Sequence, residues 1–133
     1  MTSFPLKIVT PDGLIYDGQA EEIVVRTTTG DMGIQAGHIS CVAPLGMGRA
    51  MLIVDGQRRY AACIGGMLSV VKGEVTLVPT TFEWADQIDV ERAERAQKKA
   101  EERLKASTSD TEVRLAEAKL HRALVRKSVA SYK

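Results

Sequence analysis

Hydrophobic residues along the first eighty positions recur at every second site and then change period. Leu6 and Ile8 alternate with polar neighbours, a turn is expected at Pro11-Asp12-Gly13, and a second at Asp17-Gly18. Ile23 and Val25 resume the period of two, Thr27-Thr28-Thr29 is β-branched, and Gly30 punctuates it. The segment Gly33 to Gly37 reads as irregular, with His38 just beyond. A run from Met47 to Val54 ends at Asp55-Gly56, a strong hairpin signal, and Tyr60, Ala62 and Ile64 alternate on the return. Gly65-Gly66 reads as a break, followed by Leu68 and Val70, a turn at Lys72-Gly73, then Val75 and Leu77 up to Pro79. Short strands separated by regular turns predict an antiparallel β-sandwich or barrel.

The pattern then becomes helical. All eleven Gly and all four Pro lie at or before Gly73 and Pro79, so the strongest helix breakers are absent from Thr80 onward. Ala93, Ala96, Ala100 and Leu104 share one helical stripe, and Asp89 stands where the N-cap belongs. After a polar break over residues 105–110, Ser109-Asp110-Thr111-Glu112 has the form of a capping box. Val113, Ala116, Leu120, Ala123 and Leu124 form a second stripe. The expected fold is α+β: an antiparallel β-sandwich over 1–84 and an antiparallel two-helix hairpin over 85–133. Its seam, mostly alanine, buries little; the hairpin is either a simple cap or an element that a few kcal/mol could move.

Composition adds few constraints. Net charge is +1, which argues against a global pull toward nucleic acid or membrane. The cationic excess sits in the second part, with twelve Lys/Arg against nine Asp/Glu from Ala85 onward. Cys41 and Cys63 lack metal-ligand spacing and read as small buried hydrophobes in a reducing compartment. Without a signal-like leader or an apolar run near the ~20 residues that cross a bilayer, a soluble intracellular chain is expected. The sequence carries no phosphate-binding glycine loop, no nucleophile elbow and no metal-ligand cluster, which argues against an enzyme.

Cation placement is the remaining chemical signal. Arg92, Arg95, Lys99 and Arg103 run along one flank of the first helix, and Lys119, Arg122 and Arg126 along the second. Glu91 with Arg95, Glu94 with Lys98 and Glu101 with Lys105 are ordinary surface pairs. No carboxylate stands three or four positions from Arg122 or Arg126. Two readings fit: cations complementing the helix macrodipole, or an arginine receptor for an external anion.

The ordered set Thr10-Pro11-Asp12-Gly13 with Tyr16, Gly30-Asp31-Met32-Gly33-Ile34, Gly37-His38, Gly65-Gly66 and Ile88-to-Ala93 resembles the epsilon subunit of bacterial F-type ATP synthase over nearly the whole chain. The resemblance implies a peripheral subunit on the cytoplasmic face of the bacterial membrane, seated on the gamma subunit and the c-ring. Its helices would restrain ATP hydrolysis by extending toward the alpha and beta subunits. In a subset of that family the folded hairpin binds ATP, with or without Mg, through an I/L-D-x-x-R-A motif. Ile88, Asp89, Arg92 and Ala93 match the motif, and Glu83, Lys99, Arg122 and Arg126 match or approach the outlying positions. Glu83, Asp89 and Ala93 would lie near base and ribose, with Arg92, Arg122 and Arg126 near phosphate. Asp31 and His38 resemble rotor-facing positions, although a turn aspartate and a structural histidine fit equally. The alternatives are a purely structural rotor subunit with no nucleotide site and a nucleic-acid-binding tail.

Overall fold

A computed structural model describes residues 2–132. Eight strands precede a single 3₁₀ turn, Ala85–Gln87, and two helices. The strands are β1 (Phe4–Thr10), β2 (Gly13–Ala20), β3 (Glu22–Thr27), β4 (Gly30–Gln35), β5 (Cys41–Pro44), β6 (Met47–Val54), β7 (Gln57–Val71) and β8 (Glu74–Trp84). The helices are α1 (Val90–Ala106) and α2 (Asp110–Ala130). By internal contacts the chain divides into two compact units, Met1–Trp84 and Ala85–Lys133.

In the first unit the hydrogen-bonded strand order is β2-β1-β8-β7-β6-β3-β4, with β5 added on β7. Strict alternation makes the core: in β1, Phe4, Leu6 and Ile8 point inward, and Leu77, Val75, Leu68, Leu52, Ile23 and Ile34 meet them from the other strands. One ladder departs from the expected antiparallel pattern. β1 and β8 pair in parallel, Leu6 opposite Val75 and Ile8 opposite Leu77. Parallel pairing needs a long connection, and almost the whole sheet unit lies between these two strands.

One dipeptide expected to be a turn and one expected to be a break both lie inside strands. Asp17 and Gly18 stay in β2, opposite Lys7 and Leu6. At Gly18 the absent side chain makes room for the ring of Tyr16, whose hydroxyl donates to the Gln19 carbonyl at 2.6 Å. Gly65 and Gly66 do not end β7 but bend it. Before them β7 pairs with β6 (Ile64 opposite Met47), and after them with β5 (Met67 opposite Pro44). Both glycines have positive φ, 68° and 98°, and a Cβ on Gly66 would lie 2.0 Å from the Val78 carbonyl oxygen. Similarly, Gly33-Ile34-Gln35, expected to be irregular, completes β4, where Ile34 is fully buried. By contrast, Asp55-Gly56 and Lys72-Gly73 do turn the chain, with both central residues at positive φ as two-residue hairpins require.

The two buried threonines perform the same task at two turns. Thr10 Oγ1 donates to the Gly13 carbonyl and accepts from Asp12 N–H at 3.2 Å. Thr27 Oγ1 donates to the Gly30 carbonyl at 2.6 Å and accepts from Thr29 N–H. Each Thr-x-x-Gly turn thus satisfies its own buried hydroxyl, which would otherwise cost about 1–3 kcal/mol.

The helical unit and the exposed sheet loop as candidate functional sites

The helices begin where their capping residues dictate. Asp89 has an extended backbone and its Oδ1 accepts from Arg92 N–H at 3.0 Å, while Ala93 N–H donates to the Asp89 carbonyl. Ser109 Oγ accepts from Glu112 N–H at 3.2 Å, and Glu112 Oε2 accepts from Thr108 N–H at 3.1 Å. The capping box is therefore displaced by one residue on its reciprocal side. Each such cap contributes about 1 kcal/mol to its helix.

The interface between α1 and α2 is built from alanine at intervals of seven: Ala93 and Ala100 face Ala116, Ala123 and Ala130. Two expected members lie elsewhere. Ala96 is exposed, and Gln97 occupies the seam in its place. Leu124 is 43 % exposed, and Val129 is buried instead. Rotation by one residue suits a seven-residue repeat, which drifts from the 3.6-residue helical period. Across this seam Lys127 Nζ donates to Gln97 Oε1 at 2.8 Å, and Gln97 Nε2 donates to Glu101 Oε1 at 2.8 Å. The sequence stripes missed this polar tie because apolar periodicity has no term for it.

The residues expected at a nucleotide divide by accessibility. Ile88 and Ala93 are closed to solvent, 4 % and 3 % exposed, and pack within the fold. Asp89 is exposed, but one carboxylate oxygen is committed to the cap, leaving the other. Arg92, Lys99 and Arg122 are exposed. Arg126 is half-buried and already engaged within the fold. Asp89, Arg92 and Lys99 belong to the cap and α1, and Arg122 and Arg126 to α2, within one compact unit. Glu83 is in the other unit, on β8 opposite Ala62, and is likewise engaged.

On the sheet, Asp31 faces Arg26 across the β3–β4 hairpin, and its Oδ1 lies 2.9 Å from Arg26 Nε. The Arg26 stem crosses Gly48, where a Cβ would come within 2.6 Å of Arg26 Cβ. The exposed pair contributes at most about 1 kcal/mol, but it orients the carboxylate. The Thr27–Gly30 turn sets this register, so the pairing could have been found in the sequence by counting back from the turn. His38 is half-buried, and its Nδ1 bonds the Ile39 carbonyl at 2.8 Å. Since a carbonyl only accepts, Nδ1 is the donor in this contact. Ile39 beside it is 76 % exposed.

Comparison with known proteins follows the same division. The ATP synthase delta/epsilon chain β-sandwich domain matches residues 3–85, and the long α-helix domain of the same chains matches residues 86–131. The chain belongs to the ATP synthase delta/epsilon family. Members of this family are non-catalytic subunits. An ATP synthase epsilon chain from Bacillus velezensis is 46 % identical over 130 residues, covering 98 % of both chains. One from Ruminococcus albus is 42 % identical over the full length of both. The fold is also that of a chain in the Euglena gracilis mitochondrial ATP synthase, with a TM-score of 0.85 at 22 % identity over all of this chain and 83 % of that one. Among the described residues of this family member, no helix is long and apolar enough to cross a membrane.

Proposed function

We propose that this chain is the epsilon subunit of the central stalk of a bacterial F-type ATP synthase, at the cytoplasmic face of the membrane. Its sandwich couples the gamma subunit to the c-ring, and its hairpin restrains ATP hydrolysis by extending toward the alpha and beta subunits. Asp31, ordered by Arg26, and His38 with the exposed Ile39 supply rotor-facing contacts. ATP binds the folded hairpin through the free oxygen of Asp89 and the guanidinium groups of Arg92 and Arg122, with Lys99 and Arg126 alongside.

The observation that carries this reading is the cap of α1. Asp89 anchors Arg92 at the head of a helix held by an alanine seam and a Lys127–Gln97 tie. Such a seam gains only about 0.8 kcal/mol per buried methyl-sized group, so its closed state is within reach of ligand control. A ligand shifts that balance only by differential affinity. At ~100 times its dissociation constant, ATP specific for the folded form stabilises it by about 2.7 kcal/mol.

Calorimetry of the isolated full chain with ATP, with and without Mg, tests the assignment. Arg92→Ala combined with Arg122→Ala should weaken binding at least ~10-fold, given about 1.5–3 kcal/mol for each charged hydrogen bond. Asp89→Asn is a better probe than Asp89→Ala, because asparagine keeps the cap and removes only the charge. Unchanged affinity in the double arginine variant refutes the site. A second reading, a structural subunit without nucleotide, is favoured by the engagement of Arg126 inside the fold. It predicts no heat of ATP binding in the unaltered chain.

A further inference from the structure

The hairpin carries a cleft of about 310 Å³ at its loop end, away from the Ile88–Ala93 segment. Arg103, Ala106 and Ser107 contribute from the end of α1, and Glu112, Leu115, Ala116 and Lys119 from the start of α2. The volume sits at the lower end of the roughly 300–1,000 Å³ typical of small-molecule pockets. Ala106, Leu115 and Ala116 supply apolar surface, and Leu115 is 60 % exposed, a large cost for a side chain with nothing on it.

The polar groups of the cleft are not equivalent. Ser107 Oγ donates to the Arg103 carbonyl, and Glu112 Oε2 is committed to Thr108 N–H. Ser107 is thereby spent on ending α1, while Glu112 keeps its charge and its second oxygen. Arg103 and Lys119 differ, because the helical neighbours three and four positions from each include no Asp or Glu. Counted over its lining, the cleft holds two cations and one carboxylate, an excess of one cation, and one oxygen of that carboxylate already accepts a hydrogen bond from Thr108 N–H. A cationic pair beside an apolar floor selects a ligand that is itself divided, with one anionic head and a short hydrocarbon body.

We propose that this cleft binds a small amphiphilic organic anion, a carboxylate on a short apolar chain, with Arg103 and Lys119 on the head and Leu115, Ala106 and Ala116 along the body. The site uses both helices, so it exists only while the hairpin is folded, and its ligand favours that state by mass action. The inference is independent of the nucleotide reading, since none of its residues belongs to that site.

Sodium octanoate is the probe, titrated into the isotopically labelled full chain without nucleotide and followed by amide resonances. Saturable shifts confined to residues 103–119 are expected, along with a higher melting temperature of the helical signal. Acetate, which has the head without the body, and octylammonium, which has the wrong charge, should produce neither. Arg103→Gln with Lys119→Gln should weaken octanoate at least ~10-fold, and Leu115→Ser should weaken it while leaving the helical spectrum intact. The proposal is overturned if octanoate shifts are absent or unsaturable, if octylammonium reproduces them, or if the double glutamine variant binds as before. Both cations lie at the hairpin surface, so loss of folding does not confuse the result.

Discussion

The two units of this protein solve the burial problem differently. In the sandwich, Leu6, Ile8, Ile23, Leu52, Leu68 and Leu77 are all within 1 % of full burial. In the hairpin, the residues of comparable burial are Ala93, Ala100, Ala116, Ala123 and Val129. A fully buried leucine stabilises by about 1.5–3 kcal/mol and an alanine methyl by far less. One unit is therefore a scaffold with large local stability, and the other is a pair of helices held by caps, close approach and one polar tie. Elements that must move are drawn from the low-stability end of a structure. The contrast makes the sandwich the stiffer unit and the hairpin the one that opens at lower cost.

The largest effect that could break this contrast is at Gly66. Substitution by alanine brings its Cβ against the Val78 carbonyl and forces a φ of 98° on a residue with a side chain. Loss of more than ~3 kcal/mol from the sheet unit is expected, since strain at such a position is among the severe mechanisms. Denaturant unfolding followed at Trp84, the lone tryptophan, reads it. Stability close to that of the unaltered chain would mean that the sandwich is not the rigid partner.

An intermediate effect is expected with pH. Burial pushes the Cys63 thiol up to about 12 from an ordinary 9.0. A group whose folded pKa is raised contributes stability that is complete below the unfolded value and is lost as pH climbs toward the folded one. The sheet unit should hold through neutral pH and weaken progressively above about pH 9, a loss that Cys63→Ala should reduce. Thiol labelling near neutral pH should modify the half-exposed Cys41 first and spare Cys63 until unfolding. Equal labelling rates would sink the claim of a tight sandwich core.

The smallest effect sharpens the other half. A double-mutant cycle on Gln97→Ala and Lys127→Ala should give a coupling of about 0.5–1.5 kcal/mol in the melting of the helical signal. Additive losses would show that the 2.8 Å contact between α1 and α2 contributes nothing to closing the hairpin.

Much of this architecture was legible because local chemistry and tertiary structure agreed. The absence of Gly and Pro after Pro79, with Asp89 and Ser109 at cap positions, was enough to place both helices. Asp55-Gly56 and Lys72-Gly73 were read correctly as turns because positive φ at two consecutive residues is a local demand. Asp17-Gly18 and Gly65-Gly66 look alike in the sequence and yet stay inside strands. Gly18 answers to the ring of Tyr16 two positions back on the same face of β2, and Gly66 to the β8 backbone, remote in the sequence. The stripe in α1 was displaced from Ala96 to Gln97 for a related reason. Periodicity identifies a face to within one residue, and the partner helix decides which residue faces it.

Sequence alone therefore determined where strands give way to helices, which residues start each helix, and the family to which the chain belongs. The first two depend on backbone propensity and on side chains bonding their own neighbours, and the family on the order and spacing of motifs that resemble those of its members. Tertiary structure decided that β1 pairs in parallel with β8, that Lys127 ties to Gln97, and that Arg103 and Lys119 share a cleft. Each of these joins groups separated by many residues, and a side chain's reach through space is set by packing, which one-dimensional spacing does not encode.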